Sequence, residues 1–154
     1  MNRIAWLLAT WFGSGLWPKG AGTLAALVAL LIAALLQHYV GFHQKALLVW
    51  TAAFTPLGIW AAGAYARSTG SKDPGAVVID EVLGQWLALA LAPALSWPQY
   101  AGAFLLFRLF DIWKPAPIRY FETWPGGAGI VADDLMAGFY AALVLKVISW
   151  VYLV

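Results

Sequence analysis

The segment Gly22 to Val40, GTLAALVALLIAALLQHYV, contains no charged residue. At 1.5 Å per residue it is long enough to cross a hydrocarbon core of about 30 Å. In lipid every backbone amide must find its partner within the fold, which leaves only helices or closed barrels. Barrel strands alternate polar and apolar residues and this run does not, so an all-α membrane protein is expected. Composition agrees, with 10% of the 154 residues charged and 63% hydrophobic, against roughly 25% charged in soluble domains. One membrane-embedded helical domain over residues 1–154 is the expected organisation at this length. A formal charge of +2 gives no footing for a nucleic-acid partner. The absence of cysteine removes disulfides, thiolate metal sites and cysteine nucleophiles together.

Further runs define the rest of the bundle. Ala46 to Ala66 follows the turn GFHQK, carries Pro56 as a tolerated kink and stops at Arg67. The apolar stretch Val82 to Phe107 is divided by Pro93 and by Ser96-Trp97-Pro98 into two pieces, each marginal for a crossing. A helical hairpin is predicted there, entering at Asp80, turning near Ser96 to Gln99 and returning towards Arg108. Leu135 to Val154 forms the last span, with Lys146 snorkelling towards one end. The N-terminal MNRIAWLLATWFGSG has two tryptophans in its apolar part and no small-residue cleavage site, so a short interfacial helix fits better than a signal peptide. The expectation is a compact bundle of about four to five transmembrane or half-spanning helices. His38 and His43 read as helix-end residues.

If these segments alternate in direction, the connections 13–21, 67–81 and 108–134 share one face. That face carries thirteen of the sixteen charged residues, including all seven acids, and leaves only Arg3, Lys45 and Lys146 elsewhere. The bias of Lys and Arg places it in the cytoplasm.

Two pairs of acids stand out on that face. Asp80 and Glu81 open the apolar run IDEVLGQWLALALA, and Asp133 and Asp134 open DDLMAG. Acids in a first helical turn commonly serve only the helix dipole. Here, however, Asp80 precedes Gly84 by four residues and Asp134 precedes Gly138 by four. Each carboxylate therefore shares a helix face with a glycine one turn deeper, and Gly84, Ala88 and Ala92 extend a stripe of small residues. Two helices approaching along that stripe would gather up to four carboxylates, an arrangement that calls for a cation. Oxygen donors suit a hard ion, and Mg²⁺ in particular binds through few carboxylates, waters and substrate phosphate.

In FRLFDIWKPAPI, Arg108, Asp111 and Lys114 recur at spacing three, so they are expected along one side of a helix stopped by Pro115 and Pro117. An interfacial anchor would look similar, but Asp111 between two cations can bind metal while its neighbours bind an anion. The loop GSGLWPKGAGTLA opens a helix near Thr23, whose amides can receive phosphate, and Lys19 adds a cation. Pro125 to Gly129, PGGAG, is a second loop of this kind, although such loops are usually only turns.

Metal-binding acids and phosphate-binding cations at a membrane surface point to chemistry on a phosphorylated lipid. There is no cysteine nucleophile and no Asp-x-Asp triplet, and both histidines lie near the opposite face. Metal-assisted phosphoryl transfer survives, with an acid as base or nucleophile. A CDP-alcohol phosphatidyltransferase would carry a long Asp-Gly-x-x-Ala-Arg and Asp-x-x-x-Asp signature, absent here. A cation transporter would favour acids near the bilayer midplane rather than at helix entrances.

The motifs GSGLWPKGAGTLA, DPGAVVIDEVLGQ, FRLFDIWKPAPI and GGAGIVADDLMAG, in that order and across nearly the whole chain, resemble the phosphatidylglycerophosphatase A family. Where that family usually reads Pro-Gly-Thr, this chain has Ala21-Gly22-Thr23, followed by Leu-Ala-Ala. The resemblance implies a Mg²⁺-dependent enzyme of the bacterial inner membrane that removes the terminal phosphate of phosphatidylglycerol phosphate. It implies Asp80, Glu81, Asp111, Asp133 and Asp134 as the acidic metal site, with Asp80, Asp111, Asp134 and Lys114 in catalysis. Lys19, Thr23, Arg108 and Lys114 are then the phosphate partners.

Overall fold

A computed structural model describes residues 1–153, with side chains through Val151, and all its regular elements are helical. Three helices are long and apolar enough to cross a membrane: α2 (Ala21–Val40), α3 (Gln44–Thr69) and α7 (Gly127–Leu153). The predicted end of the last span, Val154, lies outside the described residues. Leu27, Leu31, Leu35, Leu143 and Val147 point outward from α2 and α7, as helices facing lipid require. Between α2 and α3 the predicted turn shrinks to three residues, because Gly41 at φ 68° closes α2 and α3 begins at Gln44. Pro56 lies inside α3, which continues through it. His38 falls in the last turn of α2 and His43 is the N-cap of α3, as expected.

The hairpin is present as α4 (Ile79–Ala90) and α5 (Trp97–Trp113). Its turn is Leu91 to Ser96, earlier than predicted. Pro98 does not break the chain there but sits in the first turn of α5, where a missing N–H costs nothing. At about 18 Å, α4 is too short to cross the bilayer alone. Its C-terminal carbonyls at Leu89 and Ala92 accept from the Gln44 side chain at 3.3 and 2.7 Å. At its other end Ile79 and Leu83 pack on Gly58 in the middle of α3. Arg67 lies nine residues farther along α3, so α3 extends about 13 Å beyond the start of α4.

Helix α1 (Arg3–Ala9) is capped by the Asn2 carboxamide, which accepts from the Ile4 N–H at 3.0 Å. It buries Ala5 and Ala9 fully and packs along α3. The Ser68 hydroxyl at the outer end of α3 lies 3.4 Å from Met1 Sδ. Arg3, which the alternation of spans sets apart from the charged face, therefore joins it. Hydropathy marks α1 only as a surface segment and carries no sign of its packing on α3.

Helix α7 begins at Gly127, eight residues before the predicted span, because the glycines Gly127 and Gly129 are helical. A Cβ on Gly127 would collide with the α3 backbone at Gly63. The loop PGGAG is thus largely a helix start packed against α3, with the Trp124 carbonyl closing on Gly129. Asp133 and Asp134 consequently sit nearly two turns inside α7 rather than at its entrance, and its first turn holds no acid. A short helix α6 (Ile118–Phe121), with Ile118 fully buried, connects α5 to α7.

Candidate active site

The two parallel helices α4 and α7 meet where Gly84 faces Gly138. A Cβ on Gly84 would stand 2.6 Å from the Asp134 carbonyl and 2.5 Å from the Phe107 ring. One turn earlier on each helix, this contact brings Asp80 and Asp134 together. Oxygens of Asp80, Glu81 and Asp134 lie within 4.8 Å of one another. Asp80, Asp133 and Asp134 are buried, 8%, 4% and 4% exposed. A helix-dipole role accounts for Asp80 and Glu81 at most, since both fall in the first turn of α4, and cannot account for acids deep in α7.

All five predicted acids, Asp80, Glu81, Asp111, Asp133 and Asp134, line one cavity of about 150 Å³. They divide into two kinds. Asp111 is held by the Arg108 guanidinium, which also lies 4.0 Å from Glu81. Asp133 accepts from Lys114 Nζ at 2.7 Å. The remaining three form the close group. Among the described residues the buried carboxylate oxygens without a hydrogen-bond donor are Asp80 Oδ1, Glu81 Oε2, Asp133 Oδ1 and Asp134 Oδ2. Burying anionic oxygens unpaired is costly, and an all-oxygen donor set of this kind fits a hard divalent cation.

Lys114 departs from the predicted helix side. It is the C-cap of α5, in the left-handed region at φ 47°, ahead of the proline that stops the helix. That conformation turns the ammonium to Asp133, with Glu122 at 3.7 Å. Burial alone would draw its pKa down, but Asp133 first, then Glu122 and Asp134, hold it above the ordinary lysine value. Lys114 therefore stays charged at neutral pH inside the cavity.

Lys19 and Thr23 are not brought into this cavity. Both are exposed and absent from its lining. The start of α2 instead receives Glu81, whose carboxylate occupies the space where a Cβ on Gly22 would project. Arg108 stands behind Asp111 and Glu81 rather than on the cavity wall. Three further charged residues, Lys72, Asp73 and Glu122, line the cavity. Lys72 lines the cavity from the loop between α3 and α4 and forms no ion pair among the described residues. Its sequence signal is Lys72-Asp73-Pro74-Gly75, directly preceding the acidic motif. Glu122, one of the thirteen charges of the shared face, lines the cavity beside Lys114.

Residues 7–149 match the family model described as Phosphatidylglycerophosphatase A. A Haemophilus influenzae phosphatidylglycerophosphatase A is 40% identical, over 94% of this chain and 88% of that protein. The Escherichia coli protein of that name is 36% identical, over 93% and 82%. A Bacteroides thetaiotaomicron protein, provisionally named a phosphatidylinositol-3-phosphatase, is 41% identical over 94% and 93%. No solved structure matches the chain.

Proposed function

Because the chain belongs to the phosphatidylglycerophosphatase A family, and is therefore a hydrolase of phosphorylated lipids, we propose that it removes the terminal phosphate of phosphatidylglycerol phosphate to give phosphatidylglycerol. The reaction serves bacterial phospholipid synthesis at the inner membrane, with the site facing the cytoplasm. The observation that carries the reading is one recess holding three clustered carboxylates, two of them buried, and a charged lysine. An acidic cluster without a cation repels phosphate, so the recess becomes a phosphate site only when its charge is offset.

Asp80, Glu81 and Asp134 would hold Mg²⁺ in this proposal. When bound, the ion would supply Lewis-acid polarisation of the phosphoryl group and lower the pKa of water. The phosphorus–oxygen bond to the glycerol breaks as water oxygen bonds to phosphorus, so the site must accept one proton and the leaving oxygen must gain one. Asp111 and Asp133 are carboxylates outside the close group that can handle these protons. Lys114 supplies positive charge to the phosphoryl oxygens, and Lys72 a second cation at the rim.

The name of the Bacteroides relative favours a second substrate, phosphatidylinositol 3-phosphate, which is also a lipid phosphomonoester. Phosphate release by purified protein from each lipid in mixed micelles, with and without Mg²⁺, tests both. The proposal expects Mg²⁺-dependent release from phosphatidylglycerol phosphate in preference to the inositol lipid. Release that survives complete chelation removes the metal from the reaction.

A further inference from the structure

Gln85 is fully buried, yet neither its Nε2 nor its Oε1 has a hydrogen-bond partner. Leaving a buried carboxamide unpaired destabilises the fold, and an apolar residue would fill the same space without that cost. Gln85 lies one turn deeper than Glu81 on the same face of α4. Glu81 in turn has a buried acceptor without a donor, Oε2. Arg108, 4.0 Å from the other Glu81 oxygen, has a buried donor without an acceptor, Nε. The set is complementary: one free acceptor on Glu81, a donor and an acceptor on Gln85, and one free donor on Arg108.

We propose that Gln85 is a positioning residue for the acidic site. Its Nε2–H donates to Glu81 Oε2 and its Oε1 accepts from Arg108 Nε when Glu81 ligates a divalent cation. The relay fixes the orientation of the carboxylate that faces the ion. The Phe107 ring packs on Gly84, so the α5 segment that carries Arg108 lies against α4 at this level. The inference rests on the cation reading of the site and adds to it a residue that touches neither ion nor substrate.

The test is Mn²⁺ binding to the purified protein in detergent, followed by the electron paramagnetic resonance of free Mn²⁺. Gln85→Met keeps the volume and removes both polar groups. It should weaken Mn²⁺ binding about tenfold or more, as loss of a partner behind a metal ligand does, while the metal-free melting temperature stays equal or rises. Unchanged affinity, or weaker binding accompanied by a lower metal-free melting temperature, would overturn the proposal. Should the variant not fold, selective ¹⁵N-glutamine labelling of the unaltered protein reports the same event. Mg²⁺ should shift one side-chain amide and slow its hydrogen exchange, and an unmoved spectrum rejects the relay. Ion binding without lipid hydrolysis would defeat the proposed reaction and leave this inference standing. No ion binding by the unaltered protein would defeat both.

Discussion

Gly84 and Gly138 meet backbone to backbone, the carbonyl of Gly84 filling the space into which a Cβ on Gly138 would project. The contact sets the separation of α4 and α7, and with it the distance between Asp80 and Asp134 one turn away. Gly138→Ala should therefore act on the fold and the site together. Overpacking of this kind costs about 1–3 kcal/mol, and the helices can relieve it only by separating. Thermal unfolding should show the destabilisation, and the surviving folded protein should need more Mg²⁺ for half-maximal activity. A variant as stable and as active as the parent at limiting Mg²⁺ would show that the crossing does not set the site.

Asp134→Asn and Asp80→Asn should each remove nearly all turnover from a protein that still inserts and folds. The amide keeps the shape and loses the charge an ion needs. Because the carboxylates crowd one another, metal-free stability should hold or increase. Near-normal activity of both variants at limiting Mg²⁺ would return the acids to a structural role.

Lys72 lines the cavity rim while Arg108 and Lys114 are engaged by acids. A rim cation that greets the headgroup contributes to ground and transition states alike, so its loss appears in KM. Lys72→Ala should raise KM several-fold with kcat nearly unchanged, and the difference should shrink at high salt. A fall in kcat at constant KM would place Lys72 in the chemistry instead.

The repeated acid-to-glycine spacing makes the α4–α7 contact legible in the sequence alone, because period and side-chain size put both features on one face. The start of α7 is not legible in the same way. Gly126, Gly127 and Gly129 read as a loop by propensity, whereas Gly127 is needed for the close approach of α3 and Gly129 for that of the Trp124 carbonyl. The five acids share a cavity as expected, and the spacing of three between Arg108 and Asp111 already foretells their pairing, but the pairing of Asp133 depends on the turn at Lys114. A positive φ at a lysine has no sequence signal. For Lys19 and Thr23 the glycine-rich loop is misleading, since Gly22 makes room for Glu81 rather than for an exogenous anion.

The packing of α1 alters the expected topology by one residue. Met1 against Ser68 puts Arg3 on the side of Lys72. Single cysteines introduced as Arg3→Cys and Lys72→Cys should label from the same side of inverted vesicles, and Lys45→Cys from the other. Labelling of positions 45 and 72 from one side would undo the shared charged face.

Lys114 distinguishes a phosphate contact from a membrane anchor. An interfacial anchor needs a flexible cation at the headgroup level, whereas this ammonium is held at 2.7 Å from buried Asp133 and faces the acid cavity. Its neighbours keep it protonated, so it can meet the charge that develops on the phosphoryl oxygens without a change of protonation. Preorganised contacts of this type are worth roughly 2.7–4 kcal/mol in the transition state, on the order of 10²-fold in rate or more. Lys114→Ala should lower kcat by about that factor while insertion into the membrane stays normal. The substitution also strips Asp133 of its partner, so Asp133→Asn combined with Lys114→Ala separates the two effects. If the double variant matches Asp133→Asn alone in kcat, Lys114 only neutralised Asp133; if kcat falls well below that of Asp133→Asn in micelles saturated with substrate, the lysine acts on the phosphate.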